Sequence, residues 1–237
     1  MAKLFSALKI KDIVFKNRIF VSPMCQYSCE NGIPNSWHLV HLGTRAVGGA
    51  GLVIAEATAV SPEGRISPGD CGIWSDLQTE AFKSMTSFIK DQGAIPGIQI
   101  GHAGRKASTD LPWQGGLPLP NGDGGWQPIA PSPVAFDPSH TVPREMTEAD
   151  MDRVVAEFTM AAQRSLSAGF NVLELHMAHG YLLHQFLSPL SNLRKDRWGG
   201  TFENRLSFPL KVAAAVRKVW PDNLPLFVRI SCTDWVK

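Results

Sequence analysis

The chain has 237 residues, of which 44% are hydrophobic and 19% charged, and this composition favours one α/β domain spanning residues 1–237. Its 23 basic and 21 acidic side chains leave a formal charge of +2, so we expect neither nucleic acid nor an anionic membrane as a partner. Lysines interrupt every apolar run near the start, which argues against a signal peptide or a membrane span there and favours a cytoplasmic protein.

The first half of the chain indicates a short hairpin followed by strands that alternate with helices. The hairpin is predicted at residues 8–18, with its turn at Lys11 and Asp12. Three strands follow at 18–22, 51–57 and 95–100, separated by helices at 36–48 and 76–92. Ser75 and Gln78 have the spacing of a capping box at the start of the second helix. Its predicted apolar face consists of Leu77, Ala81, Met85, Phe88 and Ile89.

The second half begins with a connection, 102–143, that is rich in glycine, proline and tryptophan. A connection of that length is usually functional or disordered. Thr147 and Asp150 then indicate a capping box for a helix that ends at Gly169. The apolar stripe of this helix is predicted to be Met151, Val154, Val155, Phe158 and Ala162. A strand at 170–176, a helix at 202–219 with a kink at Pro209, and a strand at 226–230 complete the pattern.

Because five strands alternate with helices and no tight turn joins them after the hairpin, the main sheet should be parallel. Both a doubly wound sheet and a (β/α)8 TIM barrel fit this order. The first main strand is followed by Pro23 and not by the glycine-rich turn of a dinucleotide-binding fold. Polar and reactive residues also follow several different strands, as they do in barrels. We therefore predict a (β/α)8 barrel with an N-terminal hairpin, of which this chain covers about the first five β/α units.

The strand at 170–176 predicts an active site at its C-terminal end. Alternation directs Glu174 and His176 to one face of the sheet and Leu173 and Leu175 to the other. His179 follows three residues after His176. On the residues alone, such a pair could instead be a core pair or a metal site, but a zinc site needs three or four ligands and the sequence offers no evident third.

The remaining histidines and cysteines give weaker signals. His38 and His41 are predicted to belong to an ordinary amphipathic helix face. Four cysteines at irregular spacings, without a CxxC pair, indicate reduced thiols and not a zinc site or a disulfide. They are Cys25, Cys29, Cys71 and Cys232.

Five blocks of the sequence carry a more specific signal. They are VSPMCQYS, EATAVSPEGR, IQIGHAGRK, ELHMAHGYLLHQFLSPLSNLRKDRWGGTFENR and FVRIS. In these blocks and in their order, the chain resembles the flavin-dependent Old Yellow Enzyme family over essentially its whole length. It is most similar to the bacterial xenobiotic-reductase branch, in which a cysteine occupies the position of Cys25.

The resemblance implies an FMN-containing ene-reductase. NADPH or NADH would reduce FMN, and the flavin would transfer hydride to the β-carbon of an α,β-unsaturated carbonyl or another xenobiotic compound. His176 and His179 would donate hydrogen bonds to the substrate's carbonyl oxygen, where negative charge develops. Tyr181 would protonate the α-carbon, and Tyr27 would also contact the carbonyl.

The resemblance also implies the flavin-binding residues. Cys25 would lie beside the flavin and tune its potential. Gln99 would bind the pyrimidine edge of the ring and Arg229 its N1 and C2 oxygen region. The ring would also be lined by Ser22, Pro23, Met24 and Ala57. From the residues alone, Arg229 could instead form an internal ion pair with Glu56 or Glu174.

In the family, loops after the seventh and eighth strands hold the FMN phosphate, and this chain is expected to lack that C-terminal third. Two other functions therefore stay open. One is a non-catalytic barrel fragment that needs a complementary chain, and the other is a metal-dependent barrel hydrolase using His176 and His179. Open strand edges, and the reach of the family's C-terminal residues into a neighbouring subunit, lead us to expect a homo-oligomer.

Overall fold

The computed structural model describes residues 2–122 and 124–236. A two-stranded antiparallel hairpin, β1 (Leu8–Ile10) and β2 (Ile13–Phe15), precedes the main sheet, as predicted. The main sheet contains the strands β3 (Phe20–Val21), β4 (Leu52–Ala59), β5 (Ile95–Gly101), β8 (Val172–Met177) and β9 (Leu226–Ile230). They are all parallel and lie in the order β3-β4-β5-β8-β9, so each main strand pairs with the next. The prediction of a parallel α/β sheet is confirmed.

Four long helices connect these strands, at the positions that the sequence predicts. They are α1 (Ser36–Val47), α2 (Asp76–Asp91), α3 (Glu148–Ser167) and α5 (Phe202–Val219). Capping boxes begin α2 at Ser75 and α3 at Thr147. Because these caps satisfy backbone N–H groups that the first turn leaves free, they fix where each helix starts. None of the helices that the structure describes is both long and apolar enough to span a membrane.

The predicted face of α2 is wrong in part. Leu77 and Phe88 are exposed, whereas the buried apolar side chains are Phe82, Met85 and Ile89. Polar residues share the buried face because tertiary hydrogen bonds satisfy them. The hydroxyl of Thr86, for example, donates to the carbonyl oxygen of Ala168 at 2.6 Å.

The connection between β5 and α3 contains two short strands that the sequence does not indicate, β6 (Ile129–Ala130) and β7 (Arg144–Glu145), and they pair with each other. A short helix, α4 (Leu182–Leu187), also follows β8 and was missed. It has no amphipathic pattern because five of its six residues are buried.

The two faces of the main sheet have different environments. One packs against α1, α2, α3 and α5 in the large apolar core. On the opposite face, a small cluster of Phe15, Leu52, Ile54 and Val172 lies under the hairpin, near the N-terminal ends of the strands. Further along the same face the side chains become polar, since Glu174 and His176 alternate with the buried Leu173 and Leu175. The hairpin therefore covers this face of the sheet at the N-terminal ends of the strands, and polar side chains lie at their C-terminal ends.

Register sets which polar side chains become neighbours at that end. Gln99 of β5 pairs with Glu174 of β8, and His176 pairs with Arg229 of β9. On β4, a shift of register between Ala55 and Ala57 brings Ala57 opposite Gln99. Such an irregularity redirects the side chain beside it. The side chains of Ala57 and Glu56 therefore point in different directions.

Candidate active site

A cleft of about 360 Å³ opens where the strands end. Its lining comes from the loop after β3, from β4, β5 and β9, and from β8 with the loop that follows it. The lining residues are Pro23, Cys25, Ala57, Gln99, His176, His179, Tyr181 and Arg229. All eight are residues to which the sequence assigns a role, although they are separated by up to two hundred positions. A parallel sheet gathers them because its strands end at one edge.

Three other predicted residues do not line this cleft. Along the extended segment after β3, Pro23 and Cys25 are half-buried, whereas Ser22 and Met24 are exposed and face away. Tyr27 has a left-handed backbone with φ of 50° and packs edge-on against Trp113, with the ring centroids 6.3 Å apart. The predicted flavin contacts of Ser22 and Met24 and the substrate contact of Tyr27 stay predictions.

Three rings form the centre of the cleft. The ring centroid of His176 lies 5.0 Å from that of His179 and 4.8 Å from that of Tyr181, and both pairs meet edge to face. His179 reaches this position through a left-handed backbone, with φ of 60°. Its N–H donates to Oγ of Ser231 at 3.0 Å, and its carbonyl oxygen accepts from Nζ of Lys106 at 3.1 Å. These two bonds hold a conformation that non-glycine residues seldom adopt.

The ring of His176 is neutral and has one proton to donate. Burial, together with the neighbouring His179 and Arg229, lowers its pKa to about 3. Its Nδ1 accepts the backbone N–H of Ala178 at 3.3 Å, so the proton of the neutral ring is on Nε2. His176 can therefore act as a hydrogen-bond donor without a change in its charge.

Tyr181 and Cys25 are also protonated groups. Burial raises the pKa of the Tyr181 phenol, and the nearby Cys25 and Asp70 raise it further. Burial likewise raises the pKa of the Cys25 thiol, with Asp70 and Glu56 adding to the effect. Nζ of Lys106 lies 5.2 Å from the centroid of the Tyr181 ring. The cleft therefore combines neutral proton donors with the cationic side chains of Arg229 and Lys106 at its edges.

Glu174 connects two of the lining side chains. Its Oε1 accepts from Nε2 of Gln99 at 2.6 Å and from Nε of Arg229 at 2.7 Å. The sequence left open whether Arg229 contacts the flavin or forms an ion pair with Glu56 or Glu174. The structure shows the ion pair with Glu174 and has Arg229 in the lining of the cleft, and the flavin contact stays a prediction. The shared carboxylate fixes the positions of the carboxamide and the guanidinium relative to each other.

Gln185 is a positioning residue that sequence reasoning missed. It lies on α4 and is fully buried. Its Nε2 donates to the carbonyl oxygens of Ala103 and Gly180, at 3.1 and 2.7 Å, and its Oε1 accepts from the N–H of Arg105 at 3.2 Å. The loop after β5 is thereby tied to the loop that carries His179 and Tyr181. The role of Gln185 is visible only from its burial and its contacts in the folded chain, and no local sequence pattern indicates it.

A metal site at His176 and His179 finds no support in the geometry. Within residues 2–122 and 124–236, the one group of three ligating side chains whose donor atoms lie within 4.8 Å of one another is elsewhere, at Cys29, His38 and Cys71. Zinc needs three or four protein ligands. The two cleft histidines therefore lack the third ligand that the hydrolase alternative requires.

Known proteins with similar sequences and structures are flavin and nicotinamide enzymes. The chain is 45% identical over 237 residues to an NADH:flavin oxidoreductase of Gibberella zeae, covering 98% of this chain and 57% of that protein. It is 46% identical over 234 residues to an NADPH dehydrogenase of a Geobacillus species, covering 98% of this chain and 64% of that protein. A solved old yellow enzyme homologue from Zymomonas mobilis superimposes with a TM-score of 0.84 at 30% identity, covering 96% of this chain and 63% of that one.

These comparisons confirm the predicted fold: the sheet and its helices correspond to part of the barrel of that family. The chain spans about three fifths of the length of these relatives. Residues 3–237 match the family model described as the NADH:flavin oxidoreductase / NADH oxidase family, whose cofactors are FMN and a reduced nicotinamide, as the resemblance implied. The chain therefore belongs to this family, the Old Yellow Enzyme family.

Proposed function

We propose that this chain binds FMN in the cleft and acts as an NAD(P)H-dependent ene-reductase on small molecules with an activated C=C bond. One observation carries the proposal: His176, His179 and Tyr181 lie with their rings in contact in a cleft that Gln99 and Arg229 also line. Uncharged hydrogen-bond donors, a proton source and a fixed cation are what hydride addition to an enone requires.

The donor set of the cleft suits FMN. The guanidinium of Arg229 matches the electron-rich N1 and C2 oxygen region of the flavin, and the carboxamide of Gln99 matches its pyrimidine edge, which both donates and accepts hydrogen bonds. Ala57 and Pro23 offer small, apolar contacts for a flat ring, and the neutral thiol of Cys25 adds no charge beside it. When bound, FMN would accept hydride from NADPH or NADH and deliver it to the β-carbon of the substrate.

His176 and His179 would bind the substrate's carbonyl oxygen. Negative charge moves onto that oxygen as the β-carbon is attacked, and donors that are already in position stabilise it without reorganisation. Nδ1 of His176 already accepts the N–H of Ala178, so Nε2 is the ring atom that can donate to a substrate. The hydrogen bonds at both backbone groups of His179 keep its ring beside that of His176.

Tyr181 would protonate the α-carbon. Its raised pKa keeps the phenol protonated at every physiological pH, so the proton is available when the enolate forms. The edge-to-face contact with His176 places the phenol and the imidazole against the same region of the cleft. A substrate whose carbonyl oxygen meets the histidines would therefore present its α-carbon to the tyrosine.

The experiment is to mix the full chain with FMN, remove free flavin, and follow the visible absorbance without oxygen. We expect a yellow protein that NADPH or NADH bleaches and that 2-cyclohexenone recolours. Tyr181→Phe removes only a hydroxyl, so it should bleach at the wild-type rate and recolour about 10²-fold more slowly or worse. Equal recolouring of the two proteins would exclude Tyr181 as the proton donor.

A colourless chain would instead favour the second candidate, a barrel segment that becomes functional only with a complementary chain. The observation behind this candidate is that the chain spans about three fifths of its relatives, with β3 and β9 as edges of the described sheet. Activity that depends on added zinc and not on flavin would favour the hydrolase. The xenobiotic-reductase branch and the identity of the substrate belong to this proposal as well.

A further inference from the structure

A second cluster of reactive side chains lies outside the cleft. Sγ of Cys29 is 2.8 Å from Sγ of Cys71 and 3.4 Å from Nε2 of His38, and all three donor atoms lie within 4.8 Å of one another. We call Cys29, His38 and Cys71 the Cys–His cluster. All three are buried, and none of them lines the cleft. His38 lies on the buried face of the amphipathic helix α1, together with Leu42 and Ala46, as predicted.

Three separate parts of the chain bring these residues together. Cys29 lies in the loop after β3, and its N–H donates to the carbonyl oxygen of Gly69 at 2.9 Å. Cys71 precedes α2, and its carbonyl oxygen accepts from the N–H of Ala59 at 2.8 Å. His38 occupies the first turn of α1, where Asn35 caps the helix. Backbone hydrogen bonds and a helix cap therefore fix the cluster independently of any bond among its side chains.

The ring of His38 is oriented for ligation. Its Nδ1 accepts the backbone N–H of Asn35 at 3.1 Å and lies 3.2 Å from Oδ1 of Asn35, while Nε2 lies 3.4 Å from Sγ of Cys29. In this arrangement the proton of a neutral ring is on Nε2, and a metal at Nε2 would move that proton to Nδ1, where Oδ1 of Asn35 can accept it. A hydrogen bond from the second ring nitrogen to a fixed oxygen is the usual companion of a metal-bound histidine.

The carboxylate of Glu56 lies beside the histidine of the Cys–His cluster. Oε1 of Glu56 lies 3.2 Å from Nε2 of His38, and this side chain is as buried as the cluster itself. Its Oε2 accepts the backbone N–H of Gln26 at 2.9 Å. Two sulfur atoms and an imidazole nitrogen thus converge in a buried space, and the carboxylate of Glu56 contacts the imidazole. A disulfide would account for the two sulfur atoms only.

We propose that Cys29, Cys71 and His38 bind one divalent metal ion of the zinc type, with the carboxylate of Glu56 beside His38. Zinc favours thiolate and imidazole ligands in a tetrahedral arrangement, with Zn–S bonds of about 2.3 Å and Zn–N bonds of about 2.0 Å. Tetrahedral angles then put two sulfur atoms roughly 3.7 Å apart and sulfur and nitrogen about 3.5 Å apart. The sulfur–nitrogen distance already fits, and the sulfur atoms need to separate by about 1 Å.

The site would have a structural role. Glu56 directly precedes Ala57 in β4, and Cys29 follows Cys25 by four residues, so a bound ion would stabilise the backbone behind one wall of the cleft. It would also neutralise buried thiolates and the carboxylate, which are costly to bury unpaired. The proposal does not depend on flavin binding or on catalysis.

The test is a cobalt titration of the full chain after reduction with a phosphine and removal of metals. Tetrahedral Co²⁺ with thiolate ligands gives ligand-field bands in the red, where flavin does not absorb, and charge-transfer bands in the near ultraviolet. We expect these bands to saturate at one equivalent and to disappear when Zn²⁺ is added. Elemental analysis of protein grown with zinc should give about one zinc per chain.

Cys71→Ser should weaken cobalt binding at least about 100-fold, because loss of an outer-shell partner alone costs 10- to 100-fold. Cys232→Ser is the matched control, since that thiol is exposed and outside the cluster, and it should bind as the wild type does. Glu56→Gln keeps the side-chain shape and should weaken binding less than Cys71→Ser. Circular dichroism checks that each variant is folded.

Three results would overturn the proposal. The first is a folded, reduced wild-type chain that shows no red bands. The second is cobalt binding that Cys71→Ser leaves unchanged. The third is a mass two hydrogens below the reduced value that persists after phosphine treatment, which would identify a disulfide of Cys29 and Cys71.

Discussion

A single carboxylate holds two of the side chains that face the cleft. Glu174 is buried and accepts hydrogen bonds from both Gln99 and Arg229, so neither of these side chains needs a ligand to stay in place. This arrangement limits the rotamers of Gln99 and Arg229 before anything binds. A preorganised donor loses less conformational entropy on binding than a flexible one.

His176 makes stability depend on pH, because burial, with His179 and Arg229, lowers its pKa to about 3 in the folded chain. An unfolded histidine has a pKa of about 6.5, so between these two values the unfolded chain binds more protons. The residue costs the native state nothing above the unfolded pKa and destabilises it increasingly as the pH falls toward the folded pKa. We expect His176→Gln to reduce the slope of unfolding free energy against pH by up to about 1.4 kcal/mol per pH unit in that window.

Urea unfolding of wild type and His176→Gln at a series of pH values measures this slope. Any loss of packing in the variant shifts its curve by the same amount at every pH, so only the slope reports the titration. Nuclear magnetic resonance of the wild-type imidazoles provides a direct check, with the remaining histidines as internal references. An unchanged slope, or a His176 ring that gains its proton near the ordinary pKa, would contradict the expectation.

α4 contributes to the site through Gln185, which joins the loops after β5 and β8. Gln185→Leu removes three hydrogen bonds, one of them buried and two partly buried, and leaves the carbonyl oxygens of Ala103 and Gly180 without their partner. An unsatisfied buried polar group costs about 1–3 kcal/mol, so we expect a loss of unfolding free energy of at least that size. Urea unfolding measures it.

The matched control is Gln163→Leu, the same substitution at an exposed position on α3. It should change the unfolding free energy by less than about 0.5 kcal/mol. Equal effects of the two substitutions would show that the loops do not depend on Gln185.

The predictable elements are those whose ends and periodicity are local. β4 and β9 are apolar runs between turn residues, and α3 has both a capping box and a continuous apolar stripe. The buried face of α2 was not predictable, because it includes Gln78 and Thr86, whose burial depends on hydrogen-bond partners far along the chain. α4 is buried nearly all round and therefore has no amphipathic period for a sequence pattern to detect.

In the candidate site, too, the predictable residues are those with a local sequence pattern. His176 was predictable because alternation in β8 gives its direction, and Arg229 because it interrupts an apolar strand. Other cleft residues, such as Cys25 and Gln99, were found only through the family resemblance, since a lone cysteine or glutamine has no local signature. The Cys–His cluster was missed because its three members are far apart in sequence and meet only when the sheet and α1 have packed.

The described sheet has two edge strands, β3 and β9. β3 pairs only with β4 and β9 only with β8, so within the described residues each has one side with unpaired backbone groups. β9 also carries Val228 and Ile230, whose relative exposures are 46% and 59%. An exposed, apolar edge strand is a template for pairing with a second chain. For a polypeptide of residues 1–237 by itself we therefore expect self-association through β9, and the homo-oligomer that the sequence led us to predict stays a prediction.

Val228→Lys should shift this association toward the monomer, because a lysine on an edge strand must be desolvated when another strand pairs with it. Sedimentation velocity over a range of concentrations measures the shift. Val14→Lys is the control: Val14 is a 56% exposed valine of the hairpin, outside the main sheet, and its substitution should leave association unchanged. If both variants sediment like the wild type, then β9 is not the contact; if wild type remains monomeric at every concentration, the edge is protected within a single chain.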